Sequence, residues 1–245
     1  MKTVVGVDVG LVHLPFAKLR LVESQAAQWR FCVINEPELI QFNVQRGSLR
    51  ETLAELTGRL GAMFDDQWFD DVDAVIIEDQ PRSLNQRMTA ISFYIRGALD
   101  ALKRARRLQF ELVFVPSSRK FSIFRDYYGV VFRNLTYAVT KRNWVKVCER
   151  VLASQGDAVV SVYNDFVSRL PKRDDVCDAI GLAIVWFLYT EIGAPTEPPE
   201  QQDIDGTPLS ELRVAELDSE STVAREASTS RFAAKRTRKR TQRSK

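Results

Sequence analysis

Cysteine is scarce in this chain of 245 residues: Cys32, Cys148 and Cys177 are an odd number at wide spacing. That excludes a disulfide framework and a Cys-x-x-Cys zinc site, and it points to a reducing compartment. Long apolar runs are missing too. The longest, Ala179 to Tyr189, is well short of the roughly 20 residues that a bilayer-spanning helix needs. Histidine occurs once, at His13, and no internal repeat stands out. A strand-like run begins at Thr3, with no charged-then-apolar leader and no Arg/Ser-rich transit segment before it, so a soluble intracellular protein is expected.

What the chain does have is apolar material and unevenly placed charge. A 45% apolar content with 14 Phe suffices for the core of one domain, about 190 residues long by the usual size prior, followed by a tail. The net charge of +3 hides a partition. Between Arg82 and Lys146, 14 Lys and Arg stand against three acids, Asp100, Glu111 and Asp126, a local excess of 11. Such an excess calls for a polyanion, and Arg82, Arg87, Lys103, Arg104, Arg106, Arg107, Arg119, Lys120, Lys141, Arg142 and Lys146 are its candidate contacts. Aromatic residues interleave with them (Phe93, Tyr94, Phe121, Phe124, Tyr127, Tyr128, Trp144), mostly as core, with one or two open to stacking on bases.

The densest acidic stretch is Lys172-Arg173-Asp174-Asp175-Val176-Cys177-Asp178, at the head of the apolar run Ala179–Tyr189. Acids there suit a helix N-terminus, whose free amides and dipole favour negative charge. On that helix Asp175 and Asp178, three apart, share a face, and Asp174 neighbours Asp178 four residues on. Like charges this close need a cation or a raised pKa. A hard divalent ion with oxygen ligands is one resolution; an acidic first turn capping a buried helix is the alternative.

Taken in order, Thr3–Gly10 reads as a buried strand ending in Asp8, and Leu14–Val22 and Gln28–Ile34 complete an antiparallel meander. Ser48–Phe64 is an amphipathic helix with Ser48 and Glu51 as a capping box. Val72–Ile77 is a buried strand delivering Glu78. Arg87–Arg107 is a helix with a basic end, Phe110–Val115 a strand, and Pro116–Lys120 a loop. Thr140–Ala153 is an amphipathic helix with Trp144, Val147, Val151 and Leu152 inward, and the acidic-headed helix follows. The order predicts an α/β fold, a mixed sheet with helices packed on it. After residue 193 the composition turns polar. Thr196–Ser230 holds nine acids against Arg213 and Arg225, and the last fifteen residues hold eight Lys and Arg and no acid. A disordered tail over 194–245 is expected, its basic end a nucleic-acid arm or import patch, or simply solubilising.

Acids ending two strands and opening a late helix can meet at one edge of a sheet. There they are expected to hold two Mg2+ or Mn2+ ions about 4 Å apart, one activating water and the other stabilising the leaving oxygen of a phosphodiester. In VVGVDVG (4–10), IIEDQ (76–80) and KRDDVCDAIGLA (172–183) the sequence resembles the three signature motifs of the RuvC-type Holliday junction resolvases, in particular their poxviral and mitochondrial branch. The resemblance spans roughly residues 3–190. It implies a ribonuclease H-like mixed sheet (a three-stranded antiparallel meander extended by parallel strands, with helices on both faces). It also implies a homodimer and Mg2+-dependent symmetrical nicking of four-way DNA junctions, leaving 5′-phosphate and 3′-hydroxyl ends.

Carried over by motif, Asp8, Glu78, Asp175 and Asp178 are the catalytic metal ligands, with Asp174 the alternative to Asp175. The chain departs from that branch at Val12-His13, where Lys-Asn is usual, and His13 either lines the site or is an ordinary loop histidine. Lys120, Lys141 and Lys146 contact the scissile phosphate or belong to the general basic surface. Dimerisation is expected on the apolar face of Ile91–Leu102, unless that face is buried within the subunit. A viral replication compartment or the nucleus is preferred to the mitochondrion. The competing readings are another ribonuclease H-like nuclease, acting on branched DNA or RNA–DNA hybrids, and a catalytically silent DNA-binding protein of this fold. An actin- or sugar-kinase-like ATPase is disfavoured because the chain is short and lacks a second phosphate motif.

Overall fold

The computed structural model describes residues 1–10, 13–23, 29–33, 38–41, 48–79, 86–132, 136–168 and 173–192, with 199 and 201. Val12, Arg82, Lys172 and nearly all of the segment from 194 onward lie outside the described residues. Strand β1 (Lys2–Val7) is central. It pairs antiparallel with β2 (His13–Glu23) and parallel with β5 (Ala74–Asp79), which pairs parallel with β6 (Glu111–Pro116). The other edge of β2 carries β3 (Trp29–Val33) and β4 (Glu38–Gln41), both antiparallel to it. The expected meander extended by parallel strands is present, and β4 is added. Four residues just after Pro37 are too short to read as a strand alone; they are one because β2 runs on to meet them.

Pleating sorts the strand residues between two cores. Val5, Val7 and Val9 of the first segment, with Val75 and Ile77 of β5, pack with Leu56, Leu60 and Phe64 of α1 (Leu49–Asp65) and Ile91, Ile95 and Leu99 of α2 (Gln86–Arg106). Val4, Ala74 and Ile76 face the opposite way. There α3 (Ser117–Tyr128), α4 (Tyr137–Ala153), α5 (Asp157–Ser168) and α6 (Arg173–Trp186) build the second core. Helices therefore cover both faces. Ile91, Ile95 and Leu99 are spent inside the subunit, so the face of α2 expected to mediate dimerisation is not free for it; outward, Phe93 is exposed.

Residues Val176 to Trp186 of α6 are all buried; from Ala179 on their unbroken apolar sequence requires it, while Asp178 is a buried acid among them. Two glycines make room. A Cβ on Gly6 of β1 would stand 1.8 Å from the Ala179 carbonyl oxygen, and one on Gly181 would stand 2.3 Å from the Trp144 ring. The helix backbone thus rests directly on β1 while Trp144 of α4 presses on it from above. Gly6→Ala is expected to cost at least about 1–3 kcal/mol, because the obstacle is backbone. Gly58→Ala, on an open face of α1, is expected to add about 0.5–1 kcal/mol. Denaturant midpoints at unchanged slope would check both.

The expected loop over Pro116–Lys120 is instead a helix start. Strand β6 runs into α3, which Gly129 closes in the left-handed region (φ 68°). A Pro-Ser-Ser cluster marks turns and helix N-termini alike, and here the second use prevails. α4 starts at Tyr137, earlier than Thr140, and α5 stands between it and α6 as a helix the sequence pattern does not separate. Cys148 and Cys177 are free and buried. Among the described residues no helix is long and apolar enough to cross a membrane.

Candidate active site

Alternation along β1 places Asp8 on the face of Val4 and Gly6; along β5 it places Glu78 on the face of Ala74 and Ile76. Both point towards α6. Val7 pairs with Ile77, so Asp8 and Glu78, one residue further, lie side by side on parallel strands. Asp178 immediately precedes Ala179, the residue whose carbonyl covers Gly6. The close helix–strand approach therefore brings the third carboxylate over the first two. All three are buried, with 8% of Asp8, 8% of Glu78 and 5% of Asp178 exposed.

Burying like charges together has consequences. Burial first, then a hydrogen bond with Glu78 and the charges of Asp178 and Glu78, push the Asp8 carboxyl well above the usual carboxylate range, with Lys120 opposing. Asp178 goes the other way. Burial alone would raise it, but the ammonium groups of Lys120 and Lys141 outweigh burial and hold it low. Lys120, in the first turn of α3, is itself buried and donates to Oδ1 of Asp178, its Nζ 5.0 Å from the centroid of the Trp144 ring. Burial would lower its pKa, yet the charges of Asp178, Glu78 and Asp8 raise it. Lys141 of α4 donates to Oδ2 of Asp178 at 2.7 Å and lies 3.4 Å from Asp174 Oδ2. At the head of β2, His13 Nδ1 is 2.8 Å from Oδ2 of Asp175.

Asp8, Glu78 and Asp178 are thus brought together. Asp174 and Asp175 sit in the same first turn of α6 but have different partners, a lysine and a histidine. The sequence offered no signal for these contacts, since Lys120 and Lys141 are 58 and 37 residues from Asp178, and His13 is 162 from Asp175. Among the described residues no three Asp, Glu, His or Cys side chains stand grouped as a finished metal cage. Lysine ammonium groups take both oxygens of Asp178 instead. The donors still suit a hard divalent ion: all are carboxylate oxygens, and their burial and crowding push the Asp8 carboxyl upward, a strain that a cation among them would relieve.

No protein-family model matches the sequence, and no curated protein does. The solved structure of Thermus thermophilus RuvC superposes over 78% of this chain and 97% of its own, at 13% identity and a TM-score of 0.50. The fold is RuvC-like. It is the ribonuclease H-like α/β arrangement. Fowlpox virus resolvase in complex with Holliday junction DNA aligns over 76% of this chain and 97% of its own (15% identity, TM-score 0.47). The yeast mitochondrial Holliday junction resolvase Ydc2 aligns over 75% and 78% (13% identity, TM-score 0.46).

On this RuvC-like sheet the basic residues fall into two groups. Lys103, Arg104 and Arg106 end α2, and Arg107 follows it, at the opposite end of the sheet from Glu78. There Lys103 donates to the Phe110 carbonyl just ahead of β6, Arg104 pairs with Asp100, and Arg106 pairs with Asp65 at the end of α1. The second group is nearer the carboxylates: Arg119 beside Lys120, and Arg142 and Lys146 on the helix that carries Lys141, all three exposed. Arg87 is half-buried and donates to Thr52 of α1.

Proposed function

We propose that this chain is a RuvC-type Holliday junction resolvase, a structure-selective endodeoxyribonuclease that uses Mg2+ or Mn2+ and acts as a homodimer. The observation that carries the reading is the buried meeting of Asp8, Glu78 and Asp178 from three separate elements, with Lys120 and Lys141 on Asp178. The RuvC-like fold and the three motifs support it. In this reading Asp8, Glu78 and Asp178, with Asp175 or Asp174, hold two ions. When bound, such ions supply a water nucleophile at neutral pH and stabilise the leaving oxygen.

The chain's own residues do the rest. The two lysines keep Asp178 ionised, and their ammonium groups stand beside the acids where they would meet the charge of a scissile phosphate. His13 holds Asp175 at the rim. Arg87, Arg119, Arg142 and Lys146 bind the phosphate backbone near the cut, and Lys103, Arg104, Arg106 and Arg107 bind it at a distance, with Arg82 included from the charge pattern alone. One such site cuts one strand, so symmetrical nicks require two sites related by a two-fold axis. In this reading residues 1–193 are the nuclease domain and 194–245 a tail that is acidic and then basic, in an enzyme of viral replication compartments or the nucleus.

A synthetic mobile four-way junction, incubated with and without Mg2+ and mapped on all four strands, tests this. Paired nicks at symmetry-related positions, only with the metal, are expected. Preferential cutting of a Y-fork or an RNA–DNA hybrid would instead indicate a different ribonuclease H-like nuclease.

A further inference from the structure

Tyr137 opens α4 with its side chain 78% exposed, the largest exposure of any aromatic among the described residues. One turn on, Lys141 points its ammonium at that ring, 5.9 Å from the centroid, and reaches Asp178 with the same group. Among the described residues the Tyr137 ring has no aromatic neighbour and no hydrogen bond; its contact within the fold is the Lys141 ammonium. Residues four apart on a helix share a face, so ring and ammonium form one surface beside the buried acids. The ring offers one side to Lys141 and the other to solvent.

We infer that Tyr137 is a stacking platform for an unpaired or unstacked nucleobase next to the scissile phosphate, while Lys141 meets that nucleotide's phosphate. This rests on the nuclease reading and adds a means of choosing substrate. A base inside a continuous duplex already has neighbours on both faces and gains little from the ring, whereas a base at a branch point or in a single strand has a face to spare. Tyr137 thereby favours branched over linear DNA at the catalytic centre itself, independently of dimer geometry.

The test uses the full-length protein carrying Asp8→Asn to prevent cutting, with 2-aminopurine placed beside the crossover of a four-way junction and beside the branch of a Y-fork. Stacking is expected to quench the fluorescence, and Tyr137→Phe is expected to retain the quench. Tyr137→Ala and Tyr137→Leu should lose it at unchanged thermal midpoint. In the cutting-competent protein those two changes should slow single-turnover cleavage about tenfold or more, in line with the strength of base–aromatic stacking. Quenching that survives Tyr137→Ala, or is absent with both DNAs, overturns the inference. Quenching on the fork with no nicking of the junction refutes the resolvase reading and leaves Tyr137 standing.

Discussion

Asp8→Asn is expected to abolish junction cleavage and at the same time stabilise the protein. The loss of activity should be on the order of 10²–10³-fold or more, the scale for removing a central electrostatic contributor. The gain in stability follows from the displaced carboxyl. Burial, Glu78 and Asp178 raise the Asp8 pKa above its unfolded value, so its contribution to stability is fully present below the unfolded pKa of 3.8 and is lost as pH rises through the folded one. Asparagine does not ionise. The two proteins should therefore differ least below the unfolded pKa of 3.8. From there up to the folded pKa of Asp8 the wild type should fall behind by about 1.4 kcal/mol per pH unit, and above the folded pKa the gap should stay constant. Mg2+ should act in the opposite sense. At about 100 times its dissociation constant it should stabilise wild type by about 2.7 kcal/mol, and Asp8→Asn by less. Chemical denaturation across pH, with and without Mg2+, checks each part; wild-type cleavage by Asp8→Asn would remove the mechanism.

Lys120→Met should have the largest effect on folding. It strips a buried ammonium from among Asp8, Glu78 and Asp178 and leaves uncompensated carboxylates, a change that typically costs about 3–5 kcal/mol. Because the folded pKa of Lys120 is raised, the stability it contributes is present below 10.5 and disappears as pH rises through the folded value. Lys120→Met should therefore flatten the alkaline fall in stability. Lys141 is a quarter exposed, so Lys141→Met should cost less, about 1 kcal/mol. Mg2+ should restore part of the loss at Lys120, since a divalent ion can take over the neutralising role. Equal destabilisation by the two lysine changes, with no response to Mg2+, would argue against a cation pocket centred on Asp178.

Face and burial have causes only a few residues long, whereas side-chain contacts in the site have causes that span the chain. Val4-Gly6-Asp8 and Ala74-Ile76-Glu78 could be read directly, because a strand's two-residue period puts an acid on the same face as its small and apolar neighbours. The burial of α6 was equally legible, since a helix apolar all round has nowhere else to go. Local pattern is not enough where it serves two structures, as at Pro116–Lys120, or where a strand exists only through its partner, as for β4.

Sequence alone thus determined which acids end the buried strands and which helix must be buried, because each depends on periods of two to four residues. Only tertiary structure decided what those acids touch. Gly6 under Ala179 and Trp144 against Gly181 set the depth of α6 on the sheet. That depth, a matter of close packing between distant segments, is what carries Lys120 and Lys141 onto Asp178 and Asp175 to His13.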